Sequence, residues 1–261
     1  MSIKFNDVSL SYQHKEVIKN LNLEIKPGSI VAIIGKNGAG KSTLLKSLVK
    51  LIKPNTGDIL IDNVNIKNVK QKDLAKSITL LVQKPDVPEQ MSVKNLVAQG
   101  RYAYQKPLSG MSKRDLEIVN WAIKECNIDH IRNELVTDLS GGQLQCVWLA
   151  MVLAQKTKYI LLDEPTTYLD IKNQLEILSL LKKINKEYKT TIIMTLHDIN
   201  LASKFADYII AVDEGSVVFE GSVKEVINSD NINQLFDVNT TIVDYDYPTI
   251  IDFKLKEEVN E

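Results

Sequence analysis

The chain has 261 residues, with 32 Lys+Arg against 33 Asp+Glu and a formal charge of −1, so no chain-wide field draws it to nucleic acid or an acidic membrane surface. Hydrophobic residues make up 44% and charged residues 25%, which excludes disordered and collagen-like classes and allows one large or two small domains. Cys126 and Cys146 form no CxxC pair, and no apolar run reaches the roughly 18 to 20 residues of a membrane span. The opening MSIKFNDVSL lacks a signal-peptide apolar region, so the expectation is a soluble cytoplasmic protein or a peripheral subunit.

From Ser2 to Ile25 the apolar residues tend to alternate (Ile3, Phe5; Val8, Leu10, Tyr12; Leu21, Leu23, Ile25), the pattern of half-buried antiparallel strands. Ser29 to Ile34, SIVAII, is instead a continuous β-branched run of the kind buried on both faces of a parallel sheet. It runs into Gly35-Lys36-Asn37-Gly38-Ala39-Gly40-Lys41-Ser42-Thr43, a full GxxxxGK[ST] match. Glycines there let successive backbone amides curl around phosphate oxygens, and a following helix adds positive potential. Lys41 is expected to bridge the β- and γ-phosphates, and Ser42 to offer its hydroxyl to Mg²⁺. Leu44, Leu45, Leu48, Val49, Leu51 and Ile52 then recur at helical spacing, predicting a helix that Pro54 ends.

Asp58 to Ile66, DILIDNVNI, repeats the half-buried strand pattern, and Lys67, Lys70, Lys72 and Lys76 read as a solvated helix face, without the interleaved aromatics that base stacking needs. The middle, Pro85 to Lys158, is predicted to be a mainly helical insertion. Ser92 precedes Val93, Leu96 and Val97, and Ser112 with Asp115 forms a capping-box signature before Leu116, Val119 and Ile123. The segment SGGQ, Ser140 to Gln143, precedes the helical pattern LQCVWLAMVLAQ and makes a helix N-terminus able to hold phosphate.

Tyr159 to Leu162 and Thr191 to Leu196 are two further buried-strand patterns, separated by the amphipathic LEILSLLKKI. Asp163 and Glu164 follow the first of them, at the carboxyl end where open α/β sheets place ligands. Asp163 suits a Mg²⁺ shell, and Glu164 suits a general base acting on a water molecule. His197 follows the second strand; a lone histidine there is more often structural, but beside a nucleotide site it is a candidate to touch a γ-phosphate. The histidines His14, His130 and His197 are too scattered to suggest a metal cluster, and Mg²⁺ arriving with ATP is the one metal expected. The last thirty or so residues carry little motif information.

Leu139-Ser140-Gly141-Gly142-Gln143 resembles the signature motif of the ATP-binding-cassette (ABC) family, and its place about twenty residues before Asp163 also matches. The resemblance covers roughly residues 2 to 230, with six motifs in the family's order. It implies an α/β fold: a P-loop core of mainly parallel sheet with flanking helices, an antiparallel β subdomain and a helical insertion. The corresponding segments are 1–84 and 159–230 for the core with its β subdomain, 85–158 for the helical subdomain, and 231–261 for a tail. It also implies an ATPase in which two chains lie head to tail, so that Ser140, Gly141, Gly142 and Gln143 of one copy close over ATP held by Lys41 of the other.

By the same resemblance Gln83 is the glutamine that senses Mg²⁺ and water, Asp170 links the two active sites, His197 is the switch histidine and Tyr12 stacks on adenine. Relatives usually carry arginine or another polar residue at Leu144 and arginine at Cys146, so altered packing of the signature helix is expected. SVKNLVAQGRYAYQ and the helix after Ser140 look like the subgroup that powers uptake of ferric siderophores, haem or cobalamin. Expected partners are therefore a second copy, integral-membrane permease subunits received near Gln83 to Arg101, and indirectly an external substrate-binding protein, at the cytoplasmic face of the membrane. Two other readings are a soluble ATPase that remodels a cytosolic partner such as an iron-sulfur scaffold, and a nucleic-acid ATPase using the lysines at 67 to 76. The subgroup likeness speaks against the first, and the missing aromatics against the second.

Overall fold

The computed structural model describes residues 2–12, 15–105 and 110–256; His14 and residues 257–261 of the tail lie outside them. In chain order the elements are β1 (Ile3–Tyr12), β2 (Lys15–Ile25), β3 (Ile30–Ile34), α1 (Lys41–Leu48), β4 (Thr56–Ile61), β5 (Val64–Asn65), α2 (Gln71–Leu74), β6 (Ile78–Leu81), α3 (Val93–Gln99), α4 (Lys113–Glu125), α5 (Gly141–Ala154) and β7 (Tyr159–Leu162). They continue with α6 (Ile171–Tyr188), β8 (Thr191–Thr195), α7 (Ile199–Phe205), β9 (Tyr208–Asp213), β10 (Ser216–Ser222), α8 (Val223–Val226), α9 (Ser229–Phe236), β11 (Val238–Asp244) and β12 (Pro248–Leu255). The chain divides into two compact units, Met1–Asn68 with Thr191–Glu261, and Val69–Thr190.

In the first unit β2, β1, β4 and β5 pair in that order as an antiparallel sheet. Their alternation is the one read from Ser2 to Ile25, with Ile3, Phe5, Val8, Leu10, Leu21, Leu23 and Ile25 buried. Strand β3 is buried along its whole length and pairs in parallel with β8 and with β9, while β10 closes antiparallel on β9. Helix α1 packs on β1 and β2 through Leu44, Leu45 and Leu48.

Three local expectations are corrected here. Helix α1 stops at Leu48 rather than running to Pro54, because Lys50 turns left-handed (φ 63°) and the amides of Lys50 and Leu51 bond back to Ser47 O (3.1 Å) and Lys46 O (3.0 Å), closing a Schellman motif. DILIDNVNI is not one strand: Asp62 and Asn63 both have positive φ (52° and 64°), the signature of a tight type I′ hairpin between β4 and β5. The lysines at 67 to 76 do not share a helix face, since Lys67 sits in a single 3₁₀ turn and α2 has only four residues.

The described residues of the tail, up to Lys256, carry regular elements. Helix α9 buries Ile232 and Leu235, and β11 and β12 form an antiparallel hairpin. The hairpin is pinned to α7, where the Asn200 amide donates to Ile250 O (3.0 Å) and accepts from Ile250 N (2.8 Å), while Ser203 Oγ donates to Pro248 O (2.5 Å). A backbone amide and carbonyl that would otherwise need water are thus both satisfied by one side chain.

The second unit holds the parallel pair β6 and β7 with helices α3, α4 and α5 packed on one another. The predicted caps are present. Ser92 Oγ accepts from Asn95 N (3.4 Å), and Ser112 and Asp115 complete a reciprocal capping box on α4. Helix α6 buries Ile177, Leu178, Leu181 and Ile184, the stripe expected from LEILSLLKKI. Asp115 also forms an ion pair with Arg101 in which both side chains are buried (2.8 Å), and Arg101 donates further to Ala154 O (2.9 Å) and lies over the Tyr104 ring (3.7 Å). Among the described residues no helix is long and apolar enough to cross a membrane.

Candidate nucleotide-binding site

In the first unit β3 delivers the chain into the glycine-rich loop. Gly35 has φ 147°, and a Cβ built on it would lie 2.0 Å from Val212 O on β9, so only glycine lets the loop leave the sheet at this point. Lys41 is 6% exposed and its ammonium donates to Gly35 O (2.8 Å) and Lys36 O (2.9 Å), which holds the charge inside the curl formed by Asn37, Gly38 and Ala39. No side chain caps α1 at Gly40, and the positive end of the helix faces the glycine-rich loop.

A cavity of 530 Å³ adjoins the loop, walled by Lys36 to Ala39, by Lys15, Val17 and Lys19 of β2, and by Glu214 and Gly215 of the turn after β9. Tyr12 closes β1 with its ring half exposed. His197 follows β8 and is exposed, one residue before Asp198, which caps α7 by accepting from Leu201 N (2.9 Å).

In the second unit Asp163 lies at the end of β7, is 5% exposed, and donates its backbone amide to Leu81 O (2.8 Å). Glu164 adopts φ 53°, a left-handed conformation that costs a non-glycine residue about 1 kcal/mol or more and is found where side-chain aim matters. Its carboxylate accepts from Gln83 Nε2 and from the Thr167 hydroxyl (3.0 Å). Gln83 and Glu164, eighty-one positions apart, are therefore brought into direct hydrogen bonding. Beside them the Lys84 ammonium sits 4.8 Å from the Tyr168 ring centroid.

Ser140 caps α5 and forms a reciprocal box with Gln143: its hydroxyl accepts from Gln143 N (3.4 Å) and its amide donates to Gln143 Oε1 (3.0 Å). Gly141 and Gly142 occupy the first turn. Asp170 caps α6, accepting from Asn173 N (2.8 Å). Leu144 and Cys146 are both half-buried on α5, and Cys146 shares the wall of a surface groove with Cys126. Both are free thiols whose ionisation burial pushes up. Thr167 and Asn173 were not among the expected site residues; neither stands in a motif that chemistry alone would single out.

Comparison with known proteins decides the family. A family model described as ABC transporter matches residues 18–167, which includes the glycine-rich loop, the SGGQ segment and Glu164. The chain belongs to the ABC transporter family. As a member it is an ATPase with an ATP-binding domain. It is 45% identical over 229 residues to the petrobactin import ATP-binding protein FpuD of Bacillus anthracis, covering 88% of this chain and 84% of that protein. It is 40% identical over 242 residues to the ferric enterobactin transport ATP-binding protein FepC of Escherichia coli, covering 93% and 89%. Among solved structures it is similar to the dimeric ATP-binding cassette MJ0796 bound to ADP and Pi, with TM-score 0.74, 32% identity, and coverage of 84% of this chain and 98% of that one. The expected α/β cassette fold, with a mainly parallel core, antiparallel strands and a helical segment, agrees with these neighbours.

Proposed function

We propose that this ABC ATPase powers uptake of a ferric-siderophore-type complex, working as a head-to-tail pair at the cytoplasmic face of the membrane on permease subunits that receive cargo from an external binding protein. The observation that carries the reading is likeness over about nine-tenths of the chain to two siderophore-import ATPases. Those two relatives handle different siderophores at similar identity, so the cargo is assigned as a class. The comparisons lend nothing to a soluble remodelling role. A nucleic-acid role is disfavoured by the lysines themselves: Lys67 is paired with Asp58 (3.0 Å), Lys76 with Asp73 (3.0 Å), and Lys72 donates to Gln105 O (2.9 Å).

In this reading the loop amides from Gly35 to Thr43 and the Lys41 ammonium hold the phosphates, and Tyr12 stacks on adenine. Glu164 takes a proton of the attacking water as its oxygen bonds to the γ-phosphorus and the bond from that phosphorus to the β,γ-bridging oxygen breaks, releasing ADP and phosphate. Gln83 and Thr167 fix the carboxylate. His197 contacts the γ-phosphate. Ser140, Gly141, Gly142 and Gln143 of the second copy close over it, with Asp170 of that copy linking the two sites. The Ser42 hydroxyl, the Asp163 carboxylate and the Gln83 amide oxygen are hard oxygen donors of the kind Mg²⁺ prefers. Bound there, the metal would neutralise phosphate charge. Closing on ATP and reopening after hydrolysis shifts the population between two forms of the pair, and that shift is the work delivered to the permease.

Affinity purification of the tagged chain from detergent-solubilised membranes tests the reading. Recovery of a stoichiometric polytopic membrane protein is the expected result, and recovery of a soluble scaffold in its place would overturn it. At the adenine site, Tyr12→Ala is expected to raise the KM for ATP about tenfold with kcat little changed, since base stacking on an aromatic ring contributes about 1–3 kcal/mol to binding. Steady-state phosphate release over a range of ATP concentrations reads both constants.

A further inference from the structure

Asp170 presents two carboxylate oxygens at the start of α6, and one residue takes both. Asn173 donates its backbone amide to Oδ1 (2.8 Å) and its side-chain Nδ2 to Oδ2 (2.9 Å). The approach is fixed from the other side as well, because Gln174 Nε2 donates to Leu169 O (3.1 Å) and Thr166 O (3.3 Å), stitching the preceding turn onto the helix. The carboxylate is therefore oriented by its own helix.

The opposite face of the Asn173 carboxamide lies on the signature helix. A Cβ built on Gly142 would stand 2.8 Å from Asn173 Nδ2, 3.0 Å from Cγ and 3.2 Å from Oδ1, so the amide lies flat over the bare α-carbon of Gly142. A methyl group there would have to displace the amide, and the bond from Nδ2 to Asp170 Oδ2 would go with it. One half-buried carboxamide thus spans the first turn of α5 and the cap of α6, two segments thirty positions apart in the chain.

We propose that Asn173 is a positioning residue that holds the Ser140–Gln143 turn and Asp170 as one rigid piece within a protomer, so that both are delivered together to the nucleotide of the second copy. It touches no substrate itself and acts through the two groups it joins. The inference rests on the head-to-tail reading given above and adds to it a cause for the glycine at position 142: besides leaving room for phosphate, it leaves room for Asn173.

The test uses the full chain carrying Glu164→Gln, with mant-ATP binding to the monomer and ATP-dependent dimer formation by size exclusion with light scattering. Asn173→Ala is expected to leave mant-ATP affinity within about twofold and to raise the ATP needed for half-maximal dimer about tenfold, the size of coupling expected for residues in one contact network. Asn173→Asp, of the same size, places a like charge beside Asp170 and is expected to do at least as much, which keeps the result independent of any loss of packing in the alanine variant. Gly142→Ala is expected to impair the dimer, and adding Asn173→Ala to it is expected to restore part of the loss, because the new Cβ then meets no amide. If both Asn173 variants form the dimer as readily as Glu164→Gln alone, or if Asn173→Ala brings no relief to Gly142→Ala, the positioning role is overturned while the ATP sandwich stands. If Glu164→Gln alone forms no dimer, the sandwich reading falls and takes this role with it.

Discussion

Replacing Glu164 by glutamine is expected to slow ATP hydrolysis by about 10²- to 10⁴-fold, the usual contribution of a positioned general base, while ATP binding is retained. The carboxylate stands at the carboxyl end of β7 on a residue with φ 53°, and it accepts from Gln83 and from the Thr167 hydroxyl. Glutamine has the same shape and keeps one carbonyl oxygen for those donors, so the local structure survives. What it loses is the ability to take a proton. In the proposed reading the phosphates stay gripped through Lys41 and the loop amides, so ATP is expected to persist and the closed pair to accumulate because the step that reopens it has been removed. Single-turnover hydrolysis and size-exclusion chromatography with saturating ATP check the two halves of this expectation. Turnover within about threefold of the unmodified chain would remove Glu164 from the role of base, and a protein that stays monomeric at saturating ATP would remove the sandwich.

The largest effect on stability is expected at Arg101. Its guanidinium is buried with the Asp115 carboxylate at 2.8 Å, donates to Ala154 O at 2.9 Å and to Gln155 O at 3.4 Å, and covers the Tyr104 ring. Arg101→Met leaves Asp115 buried beside no cation, and breaking a buried pair from one side costs about 3–5 kcal/mol. For a chain of this length that corresponds to a fall in melting temperature of roughly 10 °C. Arg101→Met with Asp115→Asn is expected to be milder than Arg101→Met alone, since the stranded charge is gone; calorimetry of the single and double variants reads the difference.

The same pair predicts an acid limb. The Ser112 hydroxyl foremost, and then Arg101, hold the Asp115 carboxyl below its ordinary value against the opposing effect of burial. A carboxylate depressed in the folded state contributes its full stability above the unfolded value of about 4, and that contribution fades as pH falls through the folded value. The stability gap between the unmodified chain and Asp115→Asn is therefore expected to be constant above about pH 5 and to close below about pH 4. A gap that widens on acidification would show that the proton is taken elsewhere.

The parts of the fold legible in the sequence are those where burial is total or the cap is local. Tyr159 to Leu162 reads as a strand and is one, residue for residue, because a parallel strand covered on both faces has no polar position to blur its ends. Ser112 and Asp115 announce their capping box because the two residues that make it are three apart. The Asp62-Asn63 turn was present in the letters, since this dipeptide tolerates positive φ, but the alternation on either side masked it. The end of α1 was not readable: a lysine carries no signal that it will turn left-handed, and only the returning bonds from Lys50 and Leu51 reveal why the helix closes there. Arg101 with Asp115, and Asn173 with Gly142, are pairs separated by many positions and tied by no local period. The β11–β12 hairpin lay hidden because its register shifts between Thr241 and Ile242, which breaks the period of two.

The clamp between α7 and the last hairpin limits where this chain can be shortened or extended. Helix α7 is seven residues long, about 10 Å at 1.5 Å per residue, and it begins two positions after His197. Asn200 and Ser203, both on that short rod, hold the backbone of Ile250 and Pro248. Cutting the chain after Asp237 would strip those partners away and bare the underside of a helix whose other end starts beside His197. The final two strands are thus a fastening of α7 within the first unit, and a purification handle belongs beyond Leu255 with its own spacer, not in exchange for any part of the hairpin.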